Sequence, residues 1–306
     1  MTRHLLSIGD LGRDDLYEVM RLARDRDIAR ALSGRGAALI FEHPSARTRN
    51  AAELASVALG GHPVTMRAEE VGLDSRETAE DVARTMACMH ALLGARVSSH
   101  STLERMARAI DGAERPVPVV NLLSDREHPT QAVADLLTIE ACRGRLEGCA
   151  VAYVGDANNV CRSLVGAAAL TGIDLRVCAP PGYRLDAEDL EWACLLGGAP
   201  RCFDRPEQAV EGAEVIYTDV WVSMGQGAEA AFRRAAFEGY SVDERLVSLA
   251  AGDAVVLHCL PAHRGEEISA AVVDGPQSRV WLQAENRLHA MRGIFAFLLA
   301  HNEQTP

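Results

Sequence analysis

The run EHPSARTRN at residues 42–50 has the composition of an anion-binding helix start. The backbone N–H groups of Ser45, Ala46 and Arg47 would be unpaired donors at the N-terminus of the helix that follows. Ser45 and Thr48 add hydroxyl donors, and Arg47 adds a charged, planar donor group that suits phosphate. The run therefore predicts a phosphate site, although a plain capped helix with solvated arginines fits the same residues.

Arg49 lies two positions after Arg47, which is about 200° round a helix. The two guanidinium groups therefore cannot both point at one ligand. We assign Arg47 to the ligand and Arg49 to the structure of the helix.

The run HPTQ places a histidine and an amide three positions apart at the start of a predicted helix. His128 and Gln131 would share one helix face and could present a ring N–H and an amide to a carbonyl group. A histidine that only caps the helix is the competing interpretation, and this run does not decide between the two.

The run HCLPAH contains His258, Cys259 and His263, which are potential zinc ligands. It lacks the paired spacing of structural zinc sites, and a loop broken by proline does not place two histidines on one helix face. The run VGDANN at 154–159 follows a predicted strand but lacks the three glycines and the later acidic residue of a nicotinamide-binding loop. We therefore predict that the protein uses no metal ion and no cofactor.

Short runs of β-branched and aliphatic residues alternate with amphipathic stretches along the chain, which is typical of parallel sheets covered by helices. Strands are predicted at 36–41, 91–97, 117–121, 149–156, 174–178, 214–220, 254–260 and 279–283. Helices are predicted at 47–59, 77–90, 101–110, 129–143, 160–171, 186–197, 228–239, 242–249 and from Glu285 to about His301. The predicted fold class is therefore α/β, with doubly wound parallel sheets.

The strand–helix alternation restarts near residue 149, which predicts two such domains joined by bridging helices. One domain would comprise residues 1–140, completed by a C-terminal helix at 285–303, and the other residues 149–284. Ligands bind at the C-terminal ends of the strands in open α/β sheets. We therefore expect the functional site between the two domains.

The charge of the chain limits its partners and its chemistry. A formal net charge of -12 disfavours nucleic acid, although a few arginines in a cleft can still bind a small anion. All 31 basic residues are arginine. The absence of lysine excludes Schiff-base chemistry, lysine-anchored pyridoxal phosphate and the P-loop lysine.

Other features of the composition concern location. No run approaches the roughly 18 apolar residues that span a bilayer, and no apolar leader follows Met1. We therefore expect a cytoplasmic protein without a membrane partner. The eight cysteines are expected to be reduced and to behave as small hydrophobic residues, except for Cys259.

Six runs, taken in order, resemble the aspartate/ornithine transcarbamylase family from about residue 36 to 301. They are SARTR, HPTQAVADLLT, VGDANNVCRS, YTDVWVSMGQ, HCLPAHRGEE and QAENRLHA. DVWVSMG and HCLPAHRG are specific to the ornithine branch, whereas S-x-R-T-R and H-P-T-Q are shared with the aspartate branch. The resemblance implies transfer of the carbamoyl group of carbamoyl phosphate to the side-chain amine of L-ornithine, giving L-citrulline and phosphate.

The resemblance also implies roles for individual residues. The residues around carbamoyl phosphate would be Ser45, Ala46, Arg47, Thr48, Arg96, His128, Gln131, Cys259, Leu260 and Arg287. The residues around ornithine would be Asn159, Asp219, Ser223 and Met224, with Asp219 pairing with the α-ammonium. Arg96 and His128 would be catalytic and would polarise the carbamoyl carbonyl together with Thr48. Cys259, the third catalytic residue, and the Leu260 backbone would line the point where the amine attacks.

The first domain would then bind carbamoyl phosphate and the second ornithine. The resemblance further implies a homotrimer or a multiple of trimers, and a place in arginine metabolism. Four positions depart from the family pattern: His43 replaces a common lysine, Ala46 fills the second position of S-T-R-T-R, Gly72 lies where a glutamine is often found, and Leu122 follows Asn121 where a small residue is usual.

Two alternatives remain. The first is a sister transcarbamylase that acts on aspartate, putrescine or an acylated ornithine. The resemblance implies that the aspartate and acetylornithine enzymes rely on an active-site lysine, which this chain lacks. Asp219 favours a substrate with a free α-ammonium. The second is a catalytically silent binding protein, which the presence of Arg47, His128 and Arg287 disfavours.

Overall fold

The computed structural model describes residues 2–113, 115–222 and 227–303. The chain divides into two compact units. Unit 1 comprises Met1–Ala134 and Asn286–Pro306, and unit 2 comprises Asp135–Glu285. Each unit contains a parallel sheet with helices interleaved along the chain, so the predicted α/β fold class is confirmed.

Unit 1 contains a four-stranded parallel sheet with the strand order β2-β1-β3-β4. Its strands are β1 (Gly36–Phe41), β2 (His62–Arg67), β3 (Leu92–Arg96) and β4 (Val119–Leu123). A 3-10 helix covers Ile8–Asp10. The helices of this part of the chain are α1 (Arg13–Arg24), α2 (Ala46–Ala58), α3 (Ala68–Val71), α4 (Ala79–Met89), α5 (His100–Ile110) and the beginning of α6 (Pro129–Arg143).

Unit 2 contains a five-stranded parallel sheet with the strand order β7-β6-β5-β8-β9. Its strands are β5 (Ala150–Val154), β6 (Asp174–Cys178), β7 (Arg201–Phe203), β8 (Val215–Thr218) and β9 (Val255–His258). A 3-10 helix covers Gly227–Glu229. The helices are α7 (Asn159–Thr171), α8 (Ala187–Leu196), α9 (Pro206–Val210), α10 (Ala230–Ala236), α11 (Glu244–Val247), α12 (Ala270–Val273) and the first turns of α13 (Val280–Glu303).

The prediction of a strand at 279–283 is wrong, because these residues form the start of α13. Val280 and Gln283 are buried, and Arg287, Ala290 and Ile294 continue the same buried face at helical spacing. The three apolar residues of this run, Val280, Trp281 and Leu282, fit a strand or a buried helix equally well from their periodicity alone. The C-terminal helix is therefore longer than predicted.

Two edge strands, β2 and β7, were not predicted. Neither strand contains a fully buried residue, and β2 also carries Pro63. Proline within sheets is confined to edge strands and strand starts. By contrast, every residue of β3, β5, β8 and β9 is buried, which gives the continuous apolar runs typical of parallel strands covered on both faces.

The strand order locates the expected ligand positions within each unit. In unit 1 the order reverses direction between β1 and β3, and in unit 2 between β5 and β8. The crevice at the carboxyl ends of such neighbouring strands is where open α/β sheets bind ligands.

Among the described residues, no helix combines the length and the apolar character that crossing a bilayer demands.

Candidate active site

In unit 1, the loop after β1 leads directly into α2. Ser45 is the N-cap of this helix, and its hydroxyl oxygen accepts a hydrogen bond from the Thr48 N–H at 3.3 Å. Arg47 is half-buried, whereas Arg49 is exposed and bonded to Glu53 at 2.8 Å on the outer face. Helix α2 therefore presents Arg47 and Arg49 to different surroundings, as their angular separation requires.

Four buried polar side chains from separate parts of unit 1 meet beside the start of α2. Arg96, at the end of β3, donates to the Thr48 hydroxyl at 3.5 Å. Arg287, from α13, donates to the same hydroxyl at 3.0 Å and to the Gln131 side-chain oxygen at 2.5 Å. One hydrogen-bonded cluster thus comprises Thr48, Arg96, Gln131 and Arg287. All four were among the ten residues predicted around carbamoyl phosphate.

His128, which directly precedes α6, lies among the arginines of this cluster. Burial lowers the pKa of His128 well below its usual value, and the positive charges of Arg287, Arg96 and Arg47 lower it further. The ring is therefore neutral near pH 7 and can donate through one nitrogen only. Three guanidinium groups around a neutral imidazole make this end of the sheet a site for an anion.

The position of His128 depends on residues that the sequence did not indicate. The buried carboxylate of the preceding residue, Glu127, accepts hydrogen bonds from the Ser7 hydroxyl at 2.5 Å and from the Ile8 N–H at 2.9 Å. The buried Asn121 amide donates to the Leu6 carbonyl at 2.8 Å. The N-terminal segment thus fixes the loop from which His128 projects.

In unit 2, Asp219 directly follows β8 and is almost fully buried. Its carboxylate accepts from the Asn158 side-chain amide at 2.9 Å and from the Cys259 thiol at 2.8 Å. Asn158 also caps α7 by accepting from the Val160 and Cys161 N–H groups. The neighbouring Asn159, which was predicted to bind ornithine, begins α7 and is half-buried.

Asn158 was therefore missed, although the pair of asparagines in VGDANN before a helix is a recognisable N-cap signal. Ser223 and Met224, which were also predicted to bind ornithine, lie outside the described residues. Gly155 allows β5 to approach β8 closely: it has φ +146, and a Cβ there would lie 3.3 Å from the Thr218 hydroxyl oxygen. The carboxyl ends of these two strands therefore bring Asn158 and Asp219 together.

Cys259 and Leu260 follow β9 in a loop that is fixed by His258. The Leu260 N–H donates to Nδ1 of His258 at 2.9 Å, and Leu260 adopts a positive φ of 60°. Because Nδ1 accepts this bond, the ring proton is on Nε2, which lies 3.0 Å from the buried Glu267 carboxylate. The loop geometry therefore aims the Cys259 thiol at Asp219.

A second buried network holds the same strand ends in unit 2. The Tyr217 hydroxyl donates to Asp135 at 3.0 Å, and the Gln283 amide donates to the other oxygen of Asp135 at 2.7 Å. The Gln283 side-chain oxygen in turn accepts a hydrogen bond from the backbone N–H of His258 at 2.8 Å. His258 adjoins Cys259, and Tyr217 lies two residues before Asp219, so the network fixes the ends of β8 and β9.

The potential metal ligands of HCLPAH fit a structural role better than a metal site. In the described part of the chain, the side chains of Asp219, His258 and Cys259 lie within 4.8 Å of one another, as do those of His263, Glu266 and Glu267. Both ring nitrogens of His258 are already engaged, by the Leu260 N–H and by Glu267. A metal bound through His258 would break one of these bonds.

Gly72, where a glutamine is often found in the family, forms the C-cap of α3 with a φ of +71°. A Cβ there would lie 2.6 Å from the Cβ of Arg76. Glycine suits this left-handed position, and a larger residue would require the turn to change. No glutamine can therefore project from residue 72 in this backbone.

The two candidate half-sites have opposite electrostatic character. The cluster at the end of β1 and β3 offers three guanidinium groups, a neutral imidazole and a hydroxyl, which suit a phosphate and an adjacent carbonyl. The cluster at the end of β5 and β8 offers a buried carboxylate, an amide and a thiol, which suit an ammonium group. Each unit thus carries groups for a different ligand.

Comparison with known proteins identifies the relatives of this chain. The carbamoyl-P binding domain of aspartate/ornithine carbamoyltransferase matches residues 3–141, and the Asp/Orn binding domain matches residues 147–298. The ornithine carbamoyltransferase of Acidothermus cellulolyticus is 47% identical over 308 residues, which cover 98% of this chain and 97% of that protein. The one from Archaeoglobus fulgidus is 44% identical over 310 residues, with 99% of each chain covered.

Solved structures agree with these relatives. The ornithine carbamoyltransferase from Pyrococcus furiosus superposes with a TM-score of 0.91 at 41% identity and covers 97% of each chain. The likeness therefore extends over nearly the whole chain.

Proposed function

This chain belongs to the aspartate/ornithine carbamoyltransferase family, and we propose that it transfers the carbamoyl group of carbamoyl phosphate to the side-chain amine of L-ornithine. The products are L-citrulline and phosphate. The observation that carries this proposal is the arrangement of the buried Arg96 and Arg287 and the half-buried Arg47 around the neutral His128. It provides positive charge for a phosphate and uncharged donors for a carbonyl within one cluster.

In this proposal the phosphate of carbamoyl phosphate lies at the start of α2. Ser45, the backbone of Ala46 and the side chain of Arg47 bind it, and Arg96 and Arg287 complete its neutralisation. Guanidinium groups bind phosphate through paired, charge-assisted hydrogen bonds, and a helix N-terminus adds oriented N–H donors. Phosphate is the leaving group, so these contacts strengthen as its charge develops.

The carbonyl of the bound carbamoyl group is polarised by Thr48, Arg96 and His128, with Gln131 near its amide. The lowered pKa of His128 supports this role, since a neutral ring carries a donor N–H without placing a fourth positive charge in the cluster. Removing one fixed donor of this kind typically costs about 3–4 kcal/mol of transition-state stabilisation.

The amino-acid end of ornithine binds in unit 2. Asp219 pairs with the α-ammonium, and Asn159, Ser223 and Met224 complete the contacts. The Asn158 amide orients the Asp219 carboxylate, as their 2.9 Å hydrogen bond supports. A carboxylate whose described donors are an amide and a thiol suits a cationic ligand.

Cys259 and the backbone of Leu260 position the side-chain amine for attack. The Cys259 thiol contacts the Asp219 carboxylate at 2.8 Å, so in this proposal Cys259 orients the amine and does not attack the carbamoyl carbon. The neutral amine attacks the carbamoyl carbon directly, the bond from this carbon to the phosphate oxygen breaks, and the amine loses a proton. This route requires neither a metal ion nor a covalent enzyme intermediate.

In terms of domains, residues 1–140 with the helix at 285–303 bind carbamoyl phosphate, and residues 149–284 bind ornithine. The ranges matched by the two family domains support this division. We also infer a cytoplasmic homotrimer, or a multiple of trimers, which binds neither nucleic acid nor membranes. Light scattering coupled to size-exclusion chromatography tests the trimer, and a monomer or dimer would contradict it.

The test of the function is a colorimetric assay for ureido products, with carbamoyl phosphate and a panel of amines. We expect kcat/KM for L-ornithine to exceed that for aspartate, putrescine and N-acetylornithine. A higher kcat/KM for any of these three would assign the chain to a sister activity. An inactive protein that still binds carbamoyl phosphate would indicate a silent binding protein.

A further inference from the structure

A buried arginine that the proposed mechanism does not use lies beside the amino-acid half-site. Arg233 is in α10, and only 8% of its surface is exposed. One of its nitrogens, Nη1, donates to the Asp156 carboxylate at 2.7 Å and to the Trp221 carbonyl at 3.0 Å. Arg233 thus joins three segments: the loop after β5, the loop after β8, and α10.

One aromatic ring packs against this arginine, and further aromatic side chains hold that ring in place. The guanidinium group lies over the Tyr183 ring at 4.8 Å, a distance that allows a cation–π interaction. Trp221 stacks on the fully buried Phe237 with a 5.5 Å separation between ring centroids, and Phe237 also packs against Tyr183 at 4.8 Å. The arginine is therefore a fixed element and not a mobile surface group.

The partners of Arg233 adjoin the candidate ligands of the α-ammonium. Asp156 lies two residues before Asn158, which bonds to Asp219, and Trp221 lies two residues after Asp219. The bond from Arg233 to the Trp221 carbonyl therefore connects α10 to the loop that begins with Asp219.

The charges of the two carboxylates make the arginine necessary. Burial raises the pKa of Asp156, the negative charge of Asp219 acts in the same direction, and the hydrogen bond from Arg233 opposes both. Without Arg233, unit 2 would hold an unpaired buried carboxylate next to Asp219. With Arg233 present, an ion pair balances the charge of Asp156. The two donors to Asp219, the Asn158 amide and the Cys259 thiol, are both uncharged.

We propose that Arg233 is a positioning residue for the amino-acid substrate, which neutralises Asp156 and ties the loop after β5 to the loop after β8, so that Asp219 alone offers its charge to the α-ammonium. This inference rests on the proposed function of the same half-site. Arg233 contacts no substrate. Its effect therefore falls on ornithine binding and leaves carbamoyl phosphate binding unchanged.

The test compares Arg233→Gln with a matched variant, Arg143→Gln. Arg143 is also a largely buried arginine of unit 2, and it bonds to Asp253 at 2.8 Å and to Glu214 at 3.2 Å. Glu214 and Asp253 come before the first residues of β8 and β9. Arg143 therefore lies at the amino ends of these strands, whereas the candidate site lies at their carboxyl ends. Loss of either arginine breaks a comparable ion pair.

We expect Arg233→Gln to raise the KM for L-ornithine about tenfold or more, because the variant loses a charge-assisted hydrogen bond to a buried carboxylate. The Kd for carbamoyl phosphate, measured by calorimetric titration, should stay within about twofold of the wild-type value. Arg143→Gln should leave both constants within about twofold while lowering Tm.

Two results would overturn the proposal: an unchanged KM for ornithine in Arg233→Gln, or a rise in both substrate constants that Arg143→Gln reproduces. If Arg233→Gln does not fold, Arg233→Lys, which keeps the charge but loses the planar donor group, is judged by the same constants. The wild-type preference among amines tests the function separately. The variants are compared on whichever amino acid the wild type carbamoylates best, so that failure of one proposal does not hide the other.

Discussion

The two sheets carry their candidate half-sites at the same topological position, where the strand order reverses, yet they equip it with opposite charge. At the end of β1 and β3, long guanidinium side chains from distant parts of unit 1 converge on Thr48. At the end of β5 and β8, short side chains that lie close to the strand ends bond to one another around Asp219.

This difference shows what the fold contributes and what the residues contribute. Parallel strands deliver loop residues to one edge of each sheet, whatever those residues are. The loops then determine the ligand, because arginines suit a phosphate and a buried carboxylate suits an ammonium. Variants that remove one charge should therefore affect one substrate and spare the other.

The largest expected effect belongs to Arg47→Ala. It removes a charge-assisted contact to the leaving phosphate, so we expect kcat/KM to fall by about 10²–10³ or more. Arg49→Ala is the matched control, because Arg49 is exposed and bonded to Glu53. Steady-state kinetics with carbamoyl phosphate as the varied substrate measures both, and an exchange of the two phenotypes would reverse the assignment of helix faces.

Asp219→Asn should affect the other substrate. Removing one partner of a buried charge pair costs about 2–5 kcal/mol, and we expect this loss in the KM for L-ornithine. The Kd for carbamoyl phosphate should not change. Asp174→Asn, which removes the ion pairs to Arg176 and Arg201 at the start of β6, should change neither constant. Equal losses for both substrates would contradict the division between the units.

Cys259→Ser should have a smaller effect. A hydroxyl can still donate to Asp219, so we expect about a tenfold loss in kcat/KM for ornithine together with measurable turnover. Alkylation of Cys259 in the wild type should slow in the presence of carbamoyl phosphate and norvaline, an ornithine analogue without the attacking amine. A carbamoylated Cys259 detected by mass spectrometry after mixing with carbamoyl phosphate alone would show that the thiol is a nucleophile.

His128 should be detectable through stability. Its folded-state pKa is lowered, so below about pH 6.5 the unfolded chain binds a proton that the folded chain does not, and stability falls as pH falls. The contribution approaches about 1.4 kcal/mol per pH unit and is absent above the unfolded-state pKa. We expect the drop in Tm from pH 7 to pH 5 to be smaller in His128→Gln. An equal drop in both proteins would mean that the buried ring is charged.

Chelation should have no effect on activity. The phosphate is neutralised by arginine side chains, and both ring nitrogens of His258 are hydrogen-bonded. Prolonged incubation with a chelator, followed by the citrulline assay, is the measurement. If chelation abolished activity and zinc restored it, HCLPAH would be a metal site.

Much of this architecture could be predicted from local patterns. The buried strands were recognisable because central parallel strands form continuous apolar runs, and the start of α2 because Ser45 has the residue type and position of an N-cap. The edge strands β2 and β7 were not recognisable, since their half-exposed residues show no such run. The run at 279–283 was misassigned, because its apolar residues fit a strand until the helical face that continues from them is considered.

The residues that stabilise a half-site from within its own unit could not be predicted from the sequence either. The sequence by itself determined the α/β class, the positions of the chemically active runs, and the likeness to one enzyme family, since each of these depends on residues that are adjacent along the chain. Only the tertiary structure decided that Arg233 pairs with Asp156, 77 residues away, and that Gln283 bonds to Asp135, 148 residues away. Such partners are selected by packing, because a buried polar group must find a donor or acceptor wherever the fold brings one, and no local pattern encodes that meeting.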